Sequence, residues 1–226
     1  MVQSIVKKYA DRGYINYRRA GDVSSEINLL TEYGYSFAKN QEFRKAFRVA
    51  KALLFPTTKL IEFSDDSGGY IGDSIDNIIK LIHLIADQGQ KVQSLPQELF
   101  DFLSSELQNK LYFNYGDFGY ELFDIFQSLS IHLKRTDEYL GFISKMITKL
   151  TNNNDDYEIK HLKIRQIEFC KEIGRMDEAK VLISKNMDLV EVRKEEVDKL
   201  ISNQEYQSAK KLIQEGIEIA ETKKHP

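Results

Sequence analysis

Short segments of this chain repeat, and each copy opens with a polar turn that leads into a helix-like pattern. NQEFRKA at 40–46 matches NQEYQSA at 203–209, and RTDEYLGFISKM at 135–146 matches RMDEAKVLISKN at 175–186. Adjacent copies lie roughly 30 to 40 residues apart, which is the period of helix–turn–helix repeats. A helix pair cannot bury its apolar face alone, so these repeats predict stacked helix pairs.

Helical periodicity extends through most of the chain. In IIKLIHLIA and LFDIFQSLSIHL, apolar residues recur at spacings of three and four. The 226 residues include only 3 Pro and 12 Gly, too few for the turns of a long sandwich or barrel. The predicted fold class is therefore all-α, a right-handed α–α superhelix of about five helix pairs, similar to a tetratricopeptide solenoid. Ala46, Ala179 and Ala209 are expected where paired helices cross.

The turn signals divide this pattern into a first helix at 2–11 and five pairs, within one helical-repeat domain over 1–226. Pro56 is expected to kink or break the helix that contains it. The predicted pairs are 15–39 with 41–63, 73–88 with 96–109, 118–133 with 137–152, 155–173 with 176–186, and 189–202 with 205–222. The unusual links 64–72 and 110–117 both join one pair to the next, so they are expected on the same edge of the stack.

The first of these links, with its flanks, reads IEFSDDSGGYIGDSIDN (61–77) and is rich in Asp and Gly. It departs from the EF-hand pattern at the required glycine, and it has no Lys for a phosphate-binding loop. We predict a solvent-facing turn in which Asp73 caps the next helix. One alternative is a weak cation site formed by Asp65, Asp66 and Asp73. Another is an interaction surface that includes Asp65, Asp66 and Tyr70.

The second link, YFNYGDFGY (112–120), is rich in aromatic residues. Tyr112, Phe113 and Tyr115 can form a recognition patch, because aromatic side chains supply large and rigid contact areas. The alternative, which we favour, is that they fill the gap between two helix pairs.

The N-terminal stretch YINYRR (14–19) combines tyrosine with arginine. Tyr14, Arg18 and Arg19 are candidates for a surface that binds acidic or planar groups. The alternative is that the arginines pair with carboxylates on a neighbouring helix.

Three segments resemble a known family: DDSGGYIGDSIDNIIKLI (65–82), NQEYQSAKKLIQEGIEIAE (203–221) and the ending KKHP. They are similar to the tetratricopeptide-like helical region that follows the SWIM zinc finger in some bacterial proteins, and the resemblance covers most of the chain. It implies a helical repeat that forms part of a longer protein. The finger needs a C-x-C…C-x-H arrangement, and this chain has 1 Cys, so no zinc role is assigned to any residue here.

Charge and cysteine content narrow the function classes. The net charge of −3 includes no basic excess for nucleic acid, and a single cysteine, Cys170, fits a reducing cytoplasm. We expect no membrane span, no catalytic residues, no metal and no cofactor. The predicted function is a non-catalytic interaction module that binds a protein or peptide. The alternatives are an accessory domain of a nucleic-acid-associated SWIM protein, and an enzyme that uses the 64–73 loop.

Overall fold

The computed structural model describes residues 1–151 and 156–222; the link 152–155 and the KKHP ending at 223–226 lie outside the described residues. The described residues form helices and no β-strand, which confirms the all-α prediction. None of these helices is long and apolar enough to cross a membrane. The helices are α1 (Val2–Tyr9), α2 (Tyr17–Lys39), α3 (Phe43–Thr58), α4 (Tyr70–Gln88), α5 (Leu95–Glu106), α6 (Leu111–Asn114), α7 (Phe118–His132), α8 (Thr136–Thr151), α9 (Asp156–Glu172), α10 (Met176–Lys185), α11 (Val190–Ser202) and α12 (Tyr206–Thr222).

The helices depart from the predicted ranges in three places. α3 continues through Pro56 and is followed by a 3-10 helix at Lys59–Phe63, so Pro56 does not end it. Proline cannot donate to the carbonyl of Ala52, and Ala52 is exposed, so water can satisfy that group. α4 starts at Tyr70, three residues before the predicted start, and the short helix α6 forms inside the second unusual link.

The contacts between Cα atoms divide the chain into two compact units, Met1–Tyr139 and Leu140–Pro226. In the first unit, α2, α3 and α4 all pack against one another, and α1 packs on α2 and α3. α7 packs against α4, α5 and α6. The sequence predicted that α4 pairs with α5, but these two helices contact each other less than the pairs above do. The link between them is long, so it does not force them into a tight hairpin.

In the second unit, α9 packs against α10, and α11 packs against α12, as predicted. The Lys171 ammonium binds Glu195 at 2.6 Å and Glu168 at 3.0 Å, which ties α9 to α11. Lys160 and Glu191 form a second ion pair between the same helices at 2.5 Å.

Four links between consecutive helices adopt one turn geometry. After α2, the N–H of Gln41 donates to the Ala38 carbonyl (2.9 Å), and the N–H of Glu42 donates to the Phe37 carbonyl (2.8 Å). These two bonds define a Schellman motif, which needs a left-handed residue at its centre. The same pair of bonds closes α7, α9 and α11. The left-handed residues are Gln41 (φ 61°), Lys134 (φ 57°), Gly174 (φ 77°) and Gln204 (φ 64°).

The small residues predicted at helix crossings are buried. Ala46, Ala179 and Ala209 are each at most 3% exposed, in α3, α10 and α12. Gly34 marks a still closer approach in the first unit. A methyl group built at Gly34 would lie 2.4 Å from Cδ2 of Leu81, so the buried Leu81 side chain would have to move to admit it where α2 and α4 cross.

Candidate interaction surface

Backbone pairing joins the N-terminal tyrosine–arginine stretch to the acidic glycine loop. The N–H of Ile15 donates to the Phe63 carbonyl at 3.0 Å, and the N–H of Asp65 donates to the Ile15 carbonyl at 2.8 Å. The side chain of Ile15 is fully buried, so it anchors this short parallel bridge in the core. Two candidate segments that lie far apart in sequence therefore form one surface.

The acidic loop is a turn with a cap, and its carboxylates bind the loop itself. The two oxygens of Asp66 accept hydrogen bonds from the N–H groups of Ile71 (2.8 Å) and Gly72 (3.0 Å), two amides in the first turn of α4. Asp65 accepts from the N–H (3.2 Å) and the hydroxyl (2.6 Å) of Ser67. These bonds to Ser67, the hydroxyl first, lower the pKa of Asp65 below its ordinary value.

The prediction that Asp73 caps α4 is wrong. The helix begins at Tyr70, and the N–H of Asp73 already donates to the Gly69 carbonyl within the first turn. Gly69 has a φ of 73° and turns the chain from the loop into the helix. Asp66 supplies the side-chain oxygens that Asp73 was expected to supply.

Two tyrosines cover the glycine turn. The ring centres of Tyr17 and Tyr70 lie 6.1 Å apart, with 53° between the ring planes. A Cβ atom at Gly68 would lie 2.6 Å from the Tyr70 ring and 3.1 Å from the Tyr17 ring, so both rings rest against this backbone. A hydrogen bond to Tyr17 raises the pKa of Tyr70 above its ordinary value. The two rings therefore contact each other and the Gly68 backbone.

We define the tyrosine surface as Tyr14, Tyr17 and Tyr70 together with Arg18. The three tyrosines are 50%, 48% and 39% exposed, and Arg18 is exposed beside them in sequence. Arg19 is engaged within the protein: its guanidinium binds Asp22 at 3.1 Å and lies 6.0 Å from the centre of the Tyr9 ring. Arg19 therefore pairs with a carboxylate of its own helix, α2, and not with one on a neighbouring helix as the alternative expected.

The aromatic residues of the second link have mainly packing roles. Tyr112 is fully buried and donates to Glu106, so its side chain offers no area to a partner. The Phe113 ring packs against Gly119, where a Cβ atom would lie 2.2 Å from the ring, and is 5.7 Å from the Tyr120 ring centre. Tyr115 is exposed.

The two unusual links end close to each other, as the edge prediction expects. A Cβ atom at Gly72, in the first turn of α4, would lie 3.9 Å from Cζ of Phe118, the first residue of α7. The two helices therefore begin side by side.

Sequence reasoning missed two components of this surface. Tyr17 stands in the YINYRR stretch, but only its contact with Tyr70 gives it a role, and that contact spans 53 positions, from 17 to 70. The Ile15–Ser64 bridge has no local sequence signal, because its partners come from separate segments. In the sequence, the only indication of this surface is tyrosine close to glycine.

Acidic side chains line the neighbouring faces of α4 and α7. Burial is the main cause that raises the pKa values of Asp76 and Glu121 above their ordinary ranges, and the charge of Asp76 adds to the effect on Glu121. Lys80 acts in the opposite direction on both carboxyl groups. Within residues 1–151 and 156–222, no three His, Cys, Asp or Glu side chains are grouped so that they could hold a metal ion.

Fold and surface together define a helical protein with short Schellman turns and an exposed pair of packed tyrosines, Tyr17 and Tyr70. Comparison with protein-family models, with curated proteins and with solved structures gave no match.

Proposed function

We propose that this chain is a non-catalytic protein-interaction module, a helical repeat of the tetratricopeptide-like superhelical type. Four turns of identical geometry and the packed pairs α2–α3, α9–α10 and α11–α12 support the repeat architecture. The partner is a protein or peptide segment that binds at the tyrosine surface.

The observation that carries this proposal is the fixed position of Tyr17 and Tyr70. Tyrosine and arginine are enriched among residues that dominate binding energy, since they combine a large apolar area with a polar group. The two rings pack against each other and against Gly68, and the loop beneath them is fixed by the Asp66 cap. A surface ordered before binding loses less conformational entropy when a partner arrives.

The chemistry of the partner follows from the same residues. Arg18, which follows Tyr17 in the first turn of α2, supplies an exposed cation, and guanidinium groups bind carboxylates through paired hydrogen bonds. We therefore expect a segment that presents aspartate or glutamate next to an apolar side chain.

The nucleic-acid alternative, which the SWIM resemblance implies, is less well supported. A phosphate backbone requires a basic stripe. Asp76 and Glu121 lie on the adjacent faces of α4 and α7, where burial and then the charge of Asp76 raise the pKa of Glu121. The net charge of −3 includes no basic excess either.

The enzyme alternative also lacks support in the described residues. In the 64–73 loop, the carboxylates of Asp65 and Asp66 are engaged by Ser67 and by the α4 amides, so they do not form a paired acid and base. A small cavity of about 110 Å³ between α9 and α11 is lined by Glu191 and Glu195. Hydrogen bonds from Lys160 and Lys171 lower the pKa values of these two carboxyl groups, as expected for structural ion pairs.

A peptide selection tests the proposed function. The purified full chain is used to select binders from a library of random peptides displayed on phage, and selected peptides are measured by fluorescence anisotropy against variants. The Tyr17→Ser/Tyr70→Ser variant should bind them at least ~10-fold more weakly. A matched control, Tyr33→Ser/Tyr157→Ser, removes two exposed tyrosines outside the surface and should bind within about twofold of wild type. Selection of no peptide, or equal binding by both variants, contradicts the proposal.

A further inference from the structure

The last helix carries an apolar stripe that the described fold leaves open. Tyr206, Ile213 and Ile217 in α12 are 62%, 46% and 46% exposed. They follow one another at helical spacing, so they lie along one side of α12. Ala209, on the neighbouring side, is buried, and α12 packs against α11.

The internal repeat shows what kind of surface this is. When NQEFRKA is aligned with NQEYQSA, Tyr206, Ile213 and Ile217 take the positions of three residues in α3. Those α3 residues are buried, and α3 packs against α4 as well as α2. The three equivalents are Phe43 (7% exposed), Ala50 (0%) and Leu54 (0%). The stripe on α12 therefore occupies repeat positions that are buried by packing in the first unit.

An exposed apolar stripe on a helix promotes association with another apolar surface. The described part of α12 carries such a stripe of large apolar side chains. A helix is thus expected to cover it, and the charges of α12 identify which helix.

The charges of α12 are divided between its two halves. Lys210 and Lys211 lie in the first half, and Glu215, Glu218 and Glu221 lie in the second half. Lys211 faces Glu215 of the same helix at 4.0 Å. An antiparallel copy of α12 places acidic half against basic half, whereas a parallel copy places like charges together.

Lys210 and Glu221 flank the stripe on one side, since they are about three helical turns apart. In an antiparallel pair of α12 helices, each Lys210 faces Glu221 of the other copy. The two contacts are related by a twofold axis, so the interface is self-complementary.

We propose that the occupant of this stripe is α12 of a second copy of this chain, packed antiparallel through Ile213 and Ile217, which face each other across the twofold axis, and flanked by two Lys210–Glu221 pairs. This dimer involves a different unit from the tyrosine surface and does not rest on the function proposed above.

Sedimentation velocity of the full chain over a range of concentrations tests the proposal. Wild type should pass from monomer to dimer as concentration rises. Ile213→Glu/Ile217→Glu should remain monomeric and should melt like wild type at concentrations where wild type is monomeric, because both side chains are partly exposed in the monomer. Val181→Glu, at a 51% exposed aliphatic position in α10, should dimerise like wild type.

Charge exchange tests the antiparallel arrangement. Lys210→Glu and Glu221→Lys should each raise the dimer dissociation constant at least ~10-fold, and the double variant should return it to within about threefold of wild type. A chain that is monomeric throughout overturns the proposal. So does a dimer that survives Ile213→Glu/Ile217→Glu, or one that the double charge exchange fails to restore.

Discussion

The carboxylate of Asp66 accepts a hydrogen bond from the backbone N–H of Ile71 at 2.8 Å, across five positions of sequence. Its other oxygen accepts from Gly72, so one side chain satisfies two amides at the start of α4. The bend at Gly69 brings the side chain back over the helix end.

Asp66→Ala should lower the free energy of unfolding by about 0.5–2 kcal/mol, because the two amides lose their acceptor. Asp73→Ala should cost less, since Asp73 contributes only its charge near the helix N-terminus. Urea denaturation measures both changes. Asp66→Asn keeps one oxygen acceptor and should fall between wild type and Asp66→Ala. A larger loss in Asp73→Ala would contradict this account.

The pKa of Asp65 should depend on the Ser67 hydroxyl. Ser67→Ala removes the largest cause of the lowered pKa, so the value should rise toward the ordinary range. It should not reach that range, since the Ser67 N–H still donates at 3.2 Å. A carbon-13 NMR titration of the side-chain carboxyl measures the change, and Ser67→Thr, which keeps a hydroxyl, serves as control.

The sign of the associated pH dependence follows from linkage. A lowered native pKa means that the unfolded chain binds protons first as the pH falls. The contribution of Asp65 to stability is therefore present above its unfolded pKa and is lost as the pH falls through its native pKa. In Ser67→Ala this loss on the acid side should be smaller, and an unaltered acid-side profile would count against the Ser67 bonds.

Alanine should have opposite effects at two helical glycines. Gly34→Ala should destabilise by about 1–3 kcal/mol, because the added methyl group meets the buried Leu81 side chain at 2.4 Å. Gly141→Ala should stabilise by about 0.5–1 kcal/mol, since a Cβ atom there meets nothing within 4 Å and alanine favours the helix. Chemical denaturation compares them. Stabilisation by both substitutions would show that a methyl group fits at position 34 where α2 and α4 cross.

The link 110–117 should depend on the packing of Phe113 against Gly119. Gly119→Ala should destabilise by about 1–3 kcal/mol, since the methyl group would displace the Phe113 ring. Phe113→Leu should relieve part of this cost in the double variant, which a double-mutant cycle detects. Tyr115→Ala, at an exposed position, should change stability by less than about 0.5 kcal/mol. Additive effects of the first two substitutions would argue against the contact.

Substitutions to or from glycine in and beside the Schellman turns should change the stability of the protein in opposite directions at different positions. Gln204→Gly should stabilise by about 1 kcal/mol, because a left-handed backbone is costly for residues with a Cβ atom. Gly174→Ala should destabilise by a similar amount for the same reason. Thermal melts measure both changes. Gln207→Gly, in the first turn of α12, is the control and should destabilise.

Local patterns predicted the helices, their approximate ends and the small residues at the crossings. The spacing of apolar residues and the polar turns are local properties of the sequence. The ends of α7 and α10 could therefore be predicted to within a residue or two of where the structure places them. The Asp66 cap was missed, because the capping rule looks next to the helix and not across a bend at Gly69.

Contacts between distant segments of the chain determine which residues form the tyrosine surface. Tyr17 meets Tyr70 only because Ile15 pairs with the backbone around Ser64 and because α2 packs on α4. Neither contact produces a periodic pattern in the sequence. Arg18 and Arg19 look alike in sequence, but Asp22 on the same helix engages only Arg19.

The four Schellman turns also bear on how fast this chain can fold. Each is closed by hydrogen bonds between groups no more than five positions apart. The entropy cost of closing so short a loop is small, and topologies rich in local contacts fold quickly. The hairpins α9–α10 and α11–α12 can therefore nucleate independently of each other. A substitution that slows one hairpin leaves the other as an alternative starting point for folding.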